Sequence, residues 1–394
     1  MWMGKTWWAW GWGVAAFGLG FVLAAGRELG PAGVERAVFG WSALVFGVLV
    51  LILGAWWEKR RNWRERWAPL HRPRVVVIGG GTGQSVLLRG LKMHEVDLTA
   101  VVTVADDGGS SGRLRSAFGM PPPGDIRNCL VALADTEPLM EQLWQHRFQG
   151  DDDGLAGHSF GNLFIAAMAD VTGDFETAVR EASRVLAVRG RVLPAARRAV
   201  VLKARLEDGR EITGESRIPA AGGRIVRVAI APADAEAPEE VVEAIEKADV
   251  VVLGPGSLYT SIIPNLLVPE VARAIRRSRA WKVYVCNVMT QPGETDGFTA
   301  SDHVKAIYDH IGFPFFDFAV VHTAPIPEEA LRRYRNEGAH PVAADVSALE
   351  RMGVRVITGD FLRLDRYAWH DAEKVSRRIV QLARRARRSW RRRR

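Results

Sequence analysis

The residues whose types and spacing could do chemistry begin with Gly79, Gly80, Gly81, Thr82 and Gly83, which close the apolar stretch 75–78 and precede a helix-compatible run. A buried strand, a glycine turn and a helix that starts at the turn form an anion site. The glycines let backbone N–H groups approach a phosphate, and the positive end of the helix dipole favours negative charge. No Walker lysine follows, and Gln84 stands where the third glycine of a GxGxxG fingerprint would fall, so a P-loop NTPase is excluded. A second loop of the same kind, Gly254, Pro255, Gly256 and Ser257, follows the apolar run 249–253. Asp106 and Asp107 lie beyond another β-branched run, where a Rossmann acid meets a ribose hydroxyl, and they could equally hold a divalent cation beside a diphosphate. Asn162, Asn287, Thr290 and Glu294 are candidates to read sugar hydroxyls or amides. Each has a plainer alternative: the aspartates as turn or helix caps, Asn162 as an N-cap, and Arg113, Arg115 and Arg127 as solvated charges.

The elements that must position these groups read as strand and helix in alternation from residue 74 onward. Apolar runs near 75–78, 98–105, 249–253, 283–286, 316–321 and 354–357 each end in a polar or glycine-rich loop, which delivers the loops to one edge of a sheet. The stretch 200–230 contains three alternating runs and a hairpin signal at Glu207, Asp208 and Gly209, a small antiparallel insert. The fold expected is α/β: a Rossmann-like, mostly parallel sheet with helices on both faces.

Ahead of it, two apolar runs at about 6–25 and 34–57 have the length of membrane spans, with tryptophans at their ends. They predict a two-helix transmembrane hairpin over residues 1–58, followed by a basic juxtamembrane linker at 59–73. By the positive-inside rule, the expected location is the cell membrane, with two spans and the main domain, 74–375, in the cytoplasm. Residues 376–394 carry ten arginines and no acid, and removing those ten charges from the formal +8 leaves −2. The high pI thus belongs to this Arg-rich tail. Its candidate partners are anionic lipid, favoured by the expected tether, and nucleic acid, which is disfavoured; a solvated tail is the plain alternative. Cys129 and Cys286 are far apart and outside any CxxC or paired-histidine pattern, which argues for a reducing compartment and against a structural zinc.

Taken together, IGGGTG, ADDGGSSGRLR, PPPGDIRN, GNL, GPGSLYTSIIPNLLV and CNVMTQPGETDGF occur in one order over residues 74–371. This set resembles the YvcK family of CofD-like proteins, the gluconeogenesis factors. The resemblance implies a Rossmann-like fold, a UDP-sugar ligand such as UDP-N-acetylglucosamine, and a role in central carbon use and cell-wall or cell-shape control. It places Gly79 to Gly83, Asp106, Asp107, Asn162 and Gly254 to Ser257 on the ligand loops, and Tyr334, in LRRYRNEGAHPV, against the sugar nucleotide. The related 2-phospho-L-lactate transferase branch moves a phospholactyl group from a guanosine diphosphate carrier with magnesium. In that alternative Asp106 and Asp107 hold Mg2+, the one cofactor expected. An NAD-dependent oxidoreductase is disfavoured, since no proton donor paired to a nicotinamide site is recognisable. Two departures stand out: the membrane hairpin, and Trp369, which occupies the arginine position of the closing Arg-His-Asp-x-x-Lys pattern, with Arg366 as the substitute. A homo-oligomer is also expected.

Overall fold

The computed structural model describes residues 72–150, 154–364 and 368–391. The chain divides into two units at His71 and Arg72, and all that follows concerns the second. Its centre is a seven-stranded sheet in the order β10-β9-β8-β7-β1-β2-β3. These strands are β1 (Arg74–Gly79), β2 (Asp97–Val102), β3 (Arg191–Pro194), β7 (Val250–Leu253), β8 (Trp281–Val285), β9 (Phe318–His322) and β10 (Arg355–Gly359). Every pairing is parallel. A parallel sheet is covered on both faces, which is why its central strands are continuous apolar runs rather than alternating ones. Val75, Val77, Val250 and Val252 pack under the helices Gly81–Leu91, Gly124–Leu133 and Ala372–Arg391. Val76, Ile78, Val251 and Leu253 face the opposite layer, which contains Glu239–Lys247, Pro269–Arg277 and Ala300–Ile311.

The chain moves outward from β1 through β2 to β3, then returns to β7 on the other side of β1 and moves outward again. The loops after β1 and β7 therefore diverge from one point at the carboxyl edge, the switch point where open α/β sheets bind ligands. The expected antiparallel insert is present as β4 (Val201–Leu206), β5 (Glu211–Thr213) and β6 (Ile225–Ala231), in the order β5-β4-β6. Near the end of the chain β11 (Leu362–Leu364) and β12 (Ala368–His370) form a small hairpin.

The expected tail is for the most part a helix. Ala372–Arg391 buries Val375, Ile379, Leu382, Ala383 and Ala386 against the sheet layer and leaves Arg377, Arg378, Arg384, Arg385 and Arg388 in solvent. Its register is held at one end by Gly90, where a Cβ would come within 2.3 Å of the Ala372 carbonyl oxygen. At the other end, Arg387 pairs with the buried Asp249 at 2.9 Å.

The expected membrane architecture needs correction. Among the described residues no helix is long and apolar enough to cross a membrane. The longest has 20 residues and is rich in arginine, whereas a span needs about 20 mostly apolar ones. The transmembrane hairpin and the two-span membrane location are accordingly replaced by the parallel-sheet body. The runs at 6–25 and 34–57, most of the basic linker, and Arg366 lie outside the described residues.

Candidate functional site

The two glycine loops meet at the switch point, and their glycines are required by close approach. Gly81 opens its helix at φ +65°, a left-handed conformation that favours glycine. A Cβ on Gly83 would lie 2.6 Å from the Pro255 carbonyl oxygen, so the helix start and the second loop touch through backbone alone. A Cβ on Gly80 would lie 2.5 Å from the Thr103 methyl and 2.7 Å from Asp125 Oδ2. Beneath them, the buried Asn265 side chain donates to the Gly79 carbonyl at 3.1 Å and to that of Ser261 at 2.7 Å, tying the strand end to the segment after β7. Gly254 has φ +79°, and the second loop turns there.

Several residues expected to read a ligand instead shape the loops. Asn287 clips Gly256 with both ends of its amide, accepting from the backbone N–H at 3.3 Å and donating to the carbonyl at 2.9 Å. Ser257 caps the helical segment that follows it, bonds Thr260 Oγ1 at 2.6 Å and donates to the buried Glu294. Burial pushes the Glu294 carboxyl up. Thr290 is buried and exchanges hydrogen bonds with the backbone of His340. Asn162 is buried 52 residues along the chain from Ser110 and donates to its hydroxyl at 3.0 Å, while His158 Nδ1 lies 2.9 Å from the same oxygen. The Ser159 hydroxyl, not Asn162, caps that helix. Tyr334, on the helix Glu328–Asn336, packs against the small apolar cluster of Val288, Met289 and Leu362. Trp369 is an exposed residue on β12 paired with Arg363.

Asp106 and Asp107 face different partners. Asp106 accepts from the Gly108 N–H at 2.9 Å, a turn that leads into the helix Gly109–Phe118, whereas Asp107 accepts from the Ser216 N–H at 2.9 Å and so tethers the antiparallel insert. Two carboxylates turned to separate partners do not fit a shared Mg2+. Among the described residues no group of three or more histidines, cysteines and acids is arranged to hold a metal ion.

Two acids that the motif reading did not single out for the site complete it. Asp125 lies at the start of the helix Gly124–Leu133, with its carboxylate at the mouth of the glycine loop. Burial, the Gly81 N–H and the charge of Asp106 together leave it pushed up to about 6, the N–H opposing the other two. Glu215, from the insert, is pushed up to about 7 by burial and by Asp106 and Asp125. Asp125 lies inside PPPGDIRN and had a local signal as a helix cap; Glu215 had none, because only the fold of the insert brings it to this edge. The result is a cleft with backbone donors from two loops, carboxyl groups that hold their protons unusually well, and an apolar aromatic patch on one side. Such a surface suits a phosphorylated ligand with polar hydroxyls and a planar group.

The comparisons with known proteins agree with this geometry. Residues 75–362 match the family described as 2-phospho-L-lactate transferase CofD. The chain is 55% identical over 313 residues to a protein named gluconeogenesis factor in Halalkalibacterium halodurans, a match that covers 79% of this chain and 97% of that one. It is 54% identical over 312 residues to the gluconeogenesis factor of Bacillus subtilis, covering 79% and 98%. A crystal structure of a protein from Bacillus halodurans superposes with a TM-score of 0.77 at 55% identity, over 78% of this chain and 99% of that one. Family, relatives and fold point the same way, and the chain belongs to the CofD family, in its gluconeogenesis-factor (YvcK) branch.

Proposed function

We propose that the chain binds a UDP-sugar of the UDP-N-acetylglucosamine type at the switch point and acts as a regulator of central carbon use and of cell-wall and cell-shape control. The observation that carries this reading is the contact between the β1 and β7 loops, where Gly83 and Pro255 meet through backbone. Two sets of N–H donors thus converge on one diphosphate-sized place. The patch around Tyr334 supports a planar base beside it, since an aromatic ring offers a stacking face and a polar hydroxyl. The name gluconeogenesis factor, borne by relatives more than half identical, supports the carbon-use role. Divergence of Asp106 and Asp107 favours binding over metal-assisted transfer.

The test is calorimetric titration of the full chain with UDP-N-acetylglucosamine and with GDP, each with and without Mg2+. Saturable UDP-sugar binding that survives chelation and weakens about tenfold in Tyr334→Ala supports the regulator. Binding of GDP alone, dependent on the metal and lost in Asp106→Asn, would replace it with the transferase of the CofD branch.

A further inference from the structure

At the carboxyl ends of β8, β9 and β10 lies a polar group that neither the loops nor the motifs account for. His322, the last residue of β9, has a side chain 6% exposed. The Phe361 N–H donates to its Nδ1 at 3.1 Å. A ring nitrogen that accepts from a backbone N–H carries no proton, so in the neutral imidazole the hydrogen is on Nε2. That Nε2 is buried and has no hydrogen-bond partner among the described residues. Burial holds the ring neutral, against a weaker opposing pull from Asp360, which is itself bonded to Lys374 at 2.6 Å. A buried donor with nothing to donate to costs about 1–3 kcal/mol.

The surroundings say what would satisfy it. Phe361 leads into β11, whose Leu362 pairs with His370 and packs with Met289 and Tyr334. His370 Nε2 lies 3.0 Å from the Cys286 carbonyl oxygen and is thereby committed to the end of β8. Its neighbour in sequence, Asn287, clips Gly256 in the second glycine loop. The unused N–H of His322 is thus linked by a short run of contacts to the apolar patch on one side and to the phosphate loop on the other.

Resting on the UDP-sugar reading, we infer that His322 selects the base of the nucleotide: Tyr334 covers the ring, and Nε2–H of His322 donates to the 4-carbonyl oxygen of uracil. Cytosine carries an amino group at that position. A donor meeting a donor leaves the buried N–H unmatched and adds repulsion, so the same site rejects CDP. The neutral state of the ring matters only in that it leaves one N–H and no second charge beside the base.

The experiment is a comparison of UDP and CDP affinities by titration calorimetry with the full chain, its His322→Phe variant and its His322→Gln variant. Unfolding midpoints serve as the folding control. The parent is expected to prefer UDP by about tenfold to a hundredfold, the size of one buried donor left unmatched. His322→Phe is expected to bring the two affinities within about threefold, and His322→Gln, whose amide can donate from the same place, to restore part of the preference. If His322→Phe does not fold, the imidazole Nε2–H resonance of the parent decides: it should shift on addition of UDP, and its failure to move would overturn the assignment. A parent that binds UDP and CDP alike, or a His322→Phe protein that keeps the preference, overturns the role of His322 and leaves the UDP-sugar reading intact. A parent that binds neither nucleotide overturns both.

Discussion

Replacing Gly83 with alanine separates the requirement for glycine from the general benefit of a better helix former. In the interior of a helix, alanine is favoured over glycine by about 1 kcal/mol. At Gly83, however, the added Cβ would stand 2.6 Å from the Pro255 carbonyl oxygen and 2.8 Å from its carbon. Both are backbone atoms, so no side chain can rotate away. Ordinary contact begins at 3.4 Å, and the two loops must therefore part by roughly 0.8 Å. Crowding of this kind costs about 1–3 kcal/mol, which the helix gain largely offsets. Binding has no such compensation. A hydrogen bond of about 2.9 Å from the displaced loop stretches to roughly 3.7 Å, beyond the usual limit near 3.2 Å. Losing one or two bonds to a charged phosphate, at about 1.5–3 kcal/mol each, lowers affinity at least about tenfold. The expected result is an unfolding midpoint changed by a few degrees together with UDP-N-acetylglucosamine affinity reduced at least tenfold. Gly79→Ala is the control, because its Cβ would meet nothing closer than 3.6 Å and its affinity should be unchanged. A Gly83→Ala protein that binds as tightly as the parent would refute the claim that loop-to-loop contact shapes the cleft.

Asp125→Asn tests the proton-holding carboxyl. With its pKa raised to about 6 in the folded protein, against about 4 in an unfolded chain, the folded state binds the extra proton between those values. Stability then falls as pH rises through that window, so the asparagine variant should be more stable than the parent at pH 8, with the advantage gone below about pH 4; urea melts across pH read it directly, and a pH-independent difference would contradict the assignment. Arg387→Ala removes the cation from Asp249, which is 4% exposed. Breaking a buried pair costs about 3–5 kcal/mol, and denaturant unfolding should show a loss of that order, whereas Arg384→Ala on the solvent face should fall within about 0.5 kcal/mol.

The fold was legible because its parallel strands are continuous apolar runs, each followed by a glycine or polar loop, and the hairpin signal at residues 207–209 marked the insert. Local composition misled in two places. Arginine density at residues 377–388 pointed to a tail, while the interleaved Val375, Ile379, Ala383 and Ala386 define a buried helical stripe. Apolar length alone also suggested a membrane architecture that no helix among the described residues supports. At the site, the glycine loops were readable because close backbone approach demands glycine. Roles of individual polar residues were not, since Asn287 and Ser257 can serve loop or ligand equally well in sequence, and only their partners distinguish the two. Glu215 and His322 depend on how distant segments are brought together, which no local pattern encodes.

Asp249 sets a schedule for how this protein is made. Its carboxylate accepts the Arg74 backbone N–H at 2.8 Å and pairs with Arg387, 138 residues further on. At about 5–20 residues per second, the arginine is synthesised roughly 7–28 s after the aspartate. During that interval β1 and β7 can pair, yet the acid between them has no cation and the hydrophobic surface meant for the last helix stays open. The growing chain therefore leaves the ribosome with its first half assembled and one flank uncovered, a period in which chaperones or neighbouring nascent chains have access to it. Closure arrives only with the final turns of the last helix.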